Sequence, residues 1–145
     1  TNPTVASVEA DVIFGEHPIR IIGTHPVPPI SAAYFERRNR QLQKLADRIR
    51  TQRLARPEVP ILVVGDLNLS PWSPIFRDFL TRSELLDSGA GQGLTPTWYR
   101  FPAFPFGLVL DHALVSSDLV CTARRILPGL GSDHRPVLTG FRLAR

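Results

Sequence analysis

Cysteine is nearly missing from this chain. Cys121 stands alone, so no internal disulfide can brace the fold, and a lone thiol says little about redox compartment. Lysine is nearly missing as well: Lys44 is the only one, and the basic side of a net charge of +4 is otherwise arginine. Such a surface suits a partner bearing phosphates. Many of these arginines fall on one presumed helix, however, where a run of charge reads first as a solvated outer face. No run of about 18 apolar residues occurs, so no segment of the chain can cross a membrane as a helix. Internal repeats and low-complexity tracts are also lacking. What remains is 145 residues, 43% hydrophobic, enough for one ordinary domain, residues 1–145, that buries most of its apolar surface.

The pattern along the chain predicts an α/β (α+β) fold. Residues 5–14 and 19–24 predict a β-hairpin: Ala6, Val8, Ala10 and Val12 alternate with Ser7, Glu9 and Asp11, and GEHP supplies the turn. The second strand, IRIIG, delivers Thr24 and His25 to its end before PVPPI breaks the chain. Ser31 is the expected N-cap of a helix to about residue 55, with Phe35, Leu42, Leu45, Ala46 and Ile49 on one face. Pro60 to Val64 is a continuous apolar run, as in a strand buried on both faces, and it stops at Gly65-Asp66-Leu67-Asn68. A short helix follows, capped by Ser73 and opened by Pro74, with Ile75, Phe76 and Phe79 inward. Residues 87–107 predict a long ordered loop, and strands are expected at 108–115, 120–127 and 136–143. The absence of a regular βαβ rhythm favours a mixed β-sheet covered by helices.

Polar groups collect where apolar strands stop: His25, Asp66 with Asn68, Asp111 with His112, and Asp133 with His134. Strand ends are where a rigid scaffold presents side chains to a site. Asp66 and Asn68, two apart on an extended chain, point the same way; GDLN is equally readable as a turn that uses Asp and Asn to bond its own backbone. Asp111 interrupts the apolar VLDHALV, and a carboxylate there is costly to bury without a partner. His134 can be that partner, its tautomer fixed by the pairing. Asp133, pointing to the other side, is free to bind a hard divalent cation. His112, on the face of the strand opposite Asp111, reads as structural. Trp98 and Tyr99 can pack the long loop or stack on a substrate, and Trp72 in SPWSP has the same two readings.

Taken in order, GTHP (23–26), VVGDLNLSPWS (63–73), TPTW (95–98), LDHALVS (110–116) and GSDHRPV (131–137) resemble the endonuclease/exonuclease/phosphatase superfamily, which includes deoxyribonuclease I. The resemblance is strongest to bacterial members that combine THP-x-PP with GD-x-N-x-SPWSP, in which the domain often follows membrane-spanning helices. It implies part of a deoxyribonuclease I-like four-layer sandwich and a metal-dependent phosphoesterase using Mg2+ or Mn2+. It assigns catalytic roles to Asp66, Asn68, Asp111, His134 and His25, and a metal-site role to Asp133. Asp66 would activate the attacking water and Asn68 would help to hold it. His134, oriented by Asp111, would stabilise charge on the phosphate, with His25 as a second phosphate contact. The implied partner is a phosphoester substrate, nucleic acid among the candidates.

The departure is in what precedes the hairpin. The family's early asparagine and metal-binding glutamate motifs have no counterpart here, and none of Glu9, Glu16, Glu36, Glu58 and Glu84 has the right setting. The chain is therefore expected to be the C-terminal portion of the catalytic domain. The alternative is a non-catalytic phosphate- or nucleic-acid-binding module of the same fold. A sheet lacking early strands is also expected to leave apolar surface around Val64, Leu110, Ala113 and Val115 uncovered, favouring a homodimer unless loop 87–107 closes the gap.

Overall fold

The computed structural model describes residues 7–100 and 106–144. A hairpin of β1 (Val8–Phe14) and β2 (His17–Gly23) leads to α1 (Ala32–Ala55), then β3 (Ile61–Asp66), α2 (Pro74–Ser83) and the two-residue β4 (Leu86–Asp87). β5 (Asp111–Val115), β6 (Leu119–Ile126) and β7 (Val137–Leu143) complete the described elements. Five strands form one mixed sheet in the order β1-β2-β3-β5-β4, while β6 and β7 pair as a separate ribbon. Among the described strand pairs, only β2 and β3 run parallel. The other pairs are antiparallel, as expected where helices do not alternate regularly with strands.

One face of the sheet carries the core. Ile22, Ile61, Val63 and Leu114 project from three adjacent strands onto Leu42, Leu45, Ala46 and Ile49 of α1 and Phe76 and Phe79 of α2. Fully burying one such side chain contributes about 1.5–3 kcal/mol. Ser31 caps α1, its hydroxyl accepting the Tyr34 N–H at 3.3 Å. Ser73 precedes α2 with Pro74 in the first turn, although the serine side chain makes no capping bond.

The helix face differs from expectation at its start. Arg38 is only 3% exposed whereas Phe35 is 45% exposed. The Arg38 guanidinium lies 4.8 Å from the Phe35 ring centroid and reaches the loop beyond β3, so Phe35 covers an arginine instead of entering the core. The hairpin is also oriented against its apolar row. Glu9, on the polar row, bonds to Gln52 and Arg48 of α1 at 3.0 Å each. Alternation then places Val8 and Val12 on the far face, 72% and 45% exposed. On that face Ala113 and Val115 are nevertheless buried, with β7 facing Ala113. Of the four residues expected to be uncovered, Ala113 and Val115 are buried and Val64 and Leu110 half-buried, whereas the hairpin edge carries a row of exposed apolar side chains.

Candidate active site

β3 sits between β2 and β5, so the C-terminal ends of β2 and β3 and the N-terminal start of β5 meet at one edge of the sheet. Gly65 permits this closeness. Its φ of +146° is open to glycine, and a Cβ there would overlap the Thr24 carbonyl oxygen. The neighbours of this tight crossing, His25 and Asp66, are brought together: His25 Nε2 lies 3.5 Å from Asp66 Oδ2.

Asp111 enters from β5, in register with Asp66. The TPTW segment then joins it to His134. Thr97, fully buried, accepts the N–H groups of both Leu110 and Asp111 on its hydroxyl at 3.0 Å. Trp98 bridges to Leu108 on one side and to His134 on the other, and the Arg135 N–H donates to the Thr97 carbonyl at 2.7 Å. Three short segments distant in sequence are thereby laid side by side.

His134 Nδ1 lies 2.8 Å from Asp111 Oδ2. An ionised carboxylate only accepts, so Nδ1 carries the hydrogen and Nε2 is left for other chemistry. That Nε2 points towards Asp66, 3.8 Å from its Oδ2. Asp66 therefore lies between two imidazoles. Burial pushes its carboxyl above the usual range, with the Asp111 charge adding to the effect; the Asn68 N–H and the two histidines oppose it.

Asn68 departs from the extended-chain expectation. It adopts φ +51°, and its N–H closes a turn onto Asp66 Oδ1 at 2.7 Å. Its amide nitrogen donates to the Pro26 carbonyl at 3.0 Å, fastening the GTHP segment to GDLN. The turn reading and the site reading of GDLN describe the same residues, since the turn is what aims the Asp66 carboxylate. Arg38 donates to the Asn68 carbonyl and steadies the loop from below. Sequence reasoning missed Arg38, because nothing in a run of helical arginines marks the one that turns inward.

Asp133 lies beside the cluster with its side chain outward. The Trp98 indole N–H donates to its Oδ2 at 2.8 Å and holds the carboxyl below the ordinary range. Among the described residues no group of three or more His, Cys, Asp and Glu side chains is arranged to hold a metal ion. One exposed carboxylate, already bonded to an indole, is too few donors for magnesium, so the residues here do not by themselves fit the implied cation. His112 is structural: buried, its Nε2–H donates to the Leu69 carbonyl at 2.8 Å, and its ring lies 4.5 Å from that of Phe76. Burial keeps it below the usual histidine range. Arg135 stacks its guanidinium over Tyr99, 4.2 Å from the ring centroid.

Asp66, Asp111, His134 and His25 thus form one connected cluster, with Asn68 bracing it and Asp133 at its side. A groove of about 330 Å³, lined by Asp111, His134 and Arg135 among others, opens next to it. The same arrangement of sheet and helices occurs in solved structures. A 3′ phosphatase from Neisseria bound to a product DNA hairpin has TM-score 0.76 and 20% identity, over 94% of this chain and 64% of that one. A mannosyl-6-phosphatase from Bacteroides thetaiotaomicron has TM-score 0.66 and 17% identity, over 88% of this chain and 52% of that one. The beta toxin of Staphylococcus aureus with bound magnesium ions has TM-score 0.65 and 18% identity, over 93% of this chain and 57% of that one. The chain therefore spans between half and two-thirds of their lengths, and these likenesses establish the deoxyribonuclease I-like fold. No curated protein sequence matches the chain. The family model described as the Endonuclease/Exonuclease/phosphatase family matches residues 3–134, and this chain belongs to that family.

Proposed function

We propose that this chain carries the water-activating and charge-stabilising residues of a metal-dependent phosphoesterase. The observation that carries this reading is the relay Asp111–His134–Asp66–His25, in which each neighbouring pair lies within 2.8–3.8 Å. A carboxylate made more basic by burial is suited to take a proton from water at neutral pH. His134, held by Asp111, presents Nε2 to donate to a phosphoryl oxygen as charge develops on it, and His25 offers a second donor. Asn68 sets the Asp66 carboxylate through its turn. Asp133 is proposed as one oxygen ligand of a Mg2+ or Mn2+ ion, whose coordination the donors among the described residues do not complete. Such an ion would supply Lewis-acid stabilisation of the phosphoryl group.

The proposal includes that the chain is part of a longer catalytic domain, so the test is hydrolysis of a phosphodiester and a phosphomonoester by that longer protein, with and without Asp66→Ala and His134→Ala. The reading requires that both variants lose at least about a hundredfold in rate. The 145-residue chain alone is expected to turn over little substrate even with millimolar magnesium, because its donors do not complete a metal site. That shortage of donors also favours a second reading, a module that binds phosphate without turnover. Phosphate binding that depends on His134, with no hydrolysis by the longer protein, would establish it.

A further inference from the structure

A second cavity, of about 410 Å³, is lined by Trp72, Asp87, Gly89, Thr95, His112 and Arg124, among others. It adjoins the catalytic cluster: His112 follows Asp111 and lines both this cavity and the groove at His134, and Arg124 Nη2 donates to the Asp111 carbonyl at 3.3 Å. Its volume is in the range of small-ligand sites.

Trp72 is the first unusual feature. It lies in SPWSP, where the Ser73 N–H closes a turn onto the Ser70 carbonyl at 3.0 Å. Pro71 occupies the second position of that turn and fixes its backbone, and Pro74 opens α2 immediately after. The indole is 59% exposed on this stiff loop. An aromatic side chain held rigid and left in water loses little conformational freedom when a planar ring stacks on it.

The polar wall is the second. Asp87 Oδ1 accepts the Gly89 N–H at 2.9 Å. A Cβ on Gly89 would come within 3.2 Å of Asp87 Oδ1 and 3.6 Å of Arg124 Nε, so glycine keeps the space between carboxylate and guanidinium clear. Arg124 Nη1 is committed to Thr95 Oγ1 at 2.9 Å and the His112 Nε2–H to Leu69, while the buried Arg124 Nε–H has no hydrogen-bond partner among the described residues. Besides that one N–H, the wall offers the acceptor-only Asp87 carboxylate, with the guanidinium nearby to offset its charge, and so suits a ligand with N–H donors.

We propose that this cavity takes a nucleobase, stacked on Trp72 with its N–H groups on Asp87. Guanine is the best match, because its N1–H and N2–H donors lie side by side on one edge and face the two oxygens of one carboxylate. A lipid head group or an inositol ring has neither a flat face to stack nor paired N–H donors. The inference rests on the phosphoester reading above and narrows its substrate class to nucleotides.

Calorimetric titration of the chain with GMP, AMP and inositol monophosphate tests it. GMP is expected to bind more tightly than either of the others. Trp72→Ala should weaken GMP binding at least about fivefold while Trp72→Phe retains most of it, and Asp87→Asn should erase the preference of GMP over AMP. Equal affinities for GMP and inositol monophosphate, or GMP binding unchanged in Trp72→Ala, would overturn the proposal. A base belonging to the substrate would make GMP binding sensitive to His134→Ala, whereas a free nucleoside acting at a separate site would make it insensitive; either result supports the base site. The two readings fail separately. Hydrolysis of a non-nucleotide ester with no guanine preference removes this inference alone, and Trp72-dependent GMP binding without any hydrolysis removes only the enzymatic reading.

Discussion

The imidazole of His134 donates its Nδ1–H to Oδ2 of Asp111 at 2.8 Å across 23 residues of chain. Because the carboxylate fixes the tautomer, the pair acts as a unit, and removing either member disturbs Nε2. His134→Ala is expected to lower kcat/KM of the proposed longer enzyme by about 10²–10⁴-fold. Asp111→Asn should come close to that loss, because an amide can donate to Nδ1 and stabilise the wrong tautomer. Steady-state kinetics of the two single variants and the double variant checks this: the double variant should lose much less than the product of the single losses.

Asp66 gives a prediction with a definite sign. Its folded-state carboxyl is raised by burial, so between the ordinary Asp range and its raised value the native state binds more protons than the unfolded state. Its contribution to stability is therefore greatest in acid and falls as pH rises through that window. Asp66→Asn removes the cost of a buried charge while keeping an oxygen to accept the Asn68 N–H. The variant should melt at a higher temperature than the parent at pH 7, and the gap should close as pH falls from the raised value to the ordinary carboxylate range. Thermal melts at several pH values measure it; the acid limb of the rate profile should likewise lie above that range.

Much of this arrangement is legible in the sequence. α1 with its Ser31 cap and the Pro74 start of α2 follow from local pattern, because periodicity and capping act over a few residues. The apolar run of β3 also announces a strand, but Leu62 and Val64 are only half-buried, so it is fully buried on its helix-facing side alone. The ends of β2, β3 and β5 stand out because each places a polar residue against an apolar run. What is not legible depends on contacts distant in sequence. Glu9 faces α1 because Arg48 and Gln52 receive it, reversing the sidedness that the alternation of β1 suggests. The inward turn of Arg38 depends on the Asn68 carbonyl, 30 residues away. The bond from Trp98 to Asp133 spans 35 residues, and no local signal in TPTW announces it.

Gly65→Ala should damage both the fold and the site. A Cβ at φ +146° is strained, and here it would also overlap the Thr24 carbonyl, which is backbone and cannot swing aside. A loss of about 3 kcal/mol or more is expected. Urea unfolding monitored by circular dichroism gives the value, and a loss below about 1 kcal/mol would mean that β2 and β3 separate easily at this edge.

The Trp98 indole bears on Asp133 in the same direct way. Its N–H is the main reason that the Asp133 carboxyl lies below the ordinary range. Trp98→Phe keeps the ring's bulk but removes the donor, so the Asp133 titration should move up towards the usual aspartate value. Carbon-detected NMR of the side-chain carboxyl follows it directly. An unmoved titration would place the cause in the backbone N–H of Asp133 itself, His134 and Ser132, the other groups that lower it.

Assembly follows from the uncovered hairpin edge. Val8 and Val12 lie on the sheet face away from the helices, 72% and 45% exposed, and Phe14 continues the same row of β1. On β2, Ile19 pairs with Val12 and Ile21 with Ala10 of the same row, and both isoleucines are only half-buried. Soluble monomers rarely leave contiguous apolar surface beyond a few hundred Å². The 145-residue chain is therefore expected to self-associate through this face, and a two-fold dimer that lays one hairpin face against the other covers both copies at once. Light scattering at micromolar concentration should give a dimer mass. Val8→Lys with Val12→Lys should return a monomer without loss of helix signal, because both side chains lie outside the α1–α2 core. A monomer mass for the parent chain, with no binding of a dye that reports exposed apolar surface, would mean that this face is closed by the chain itself.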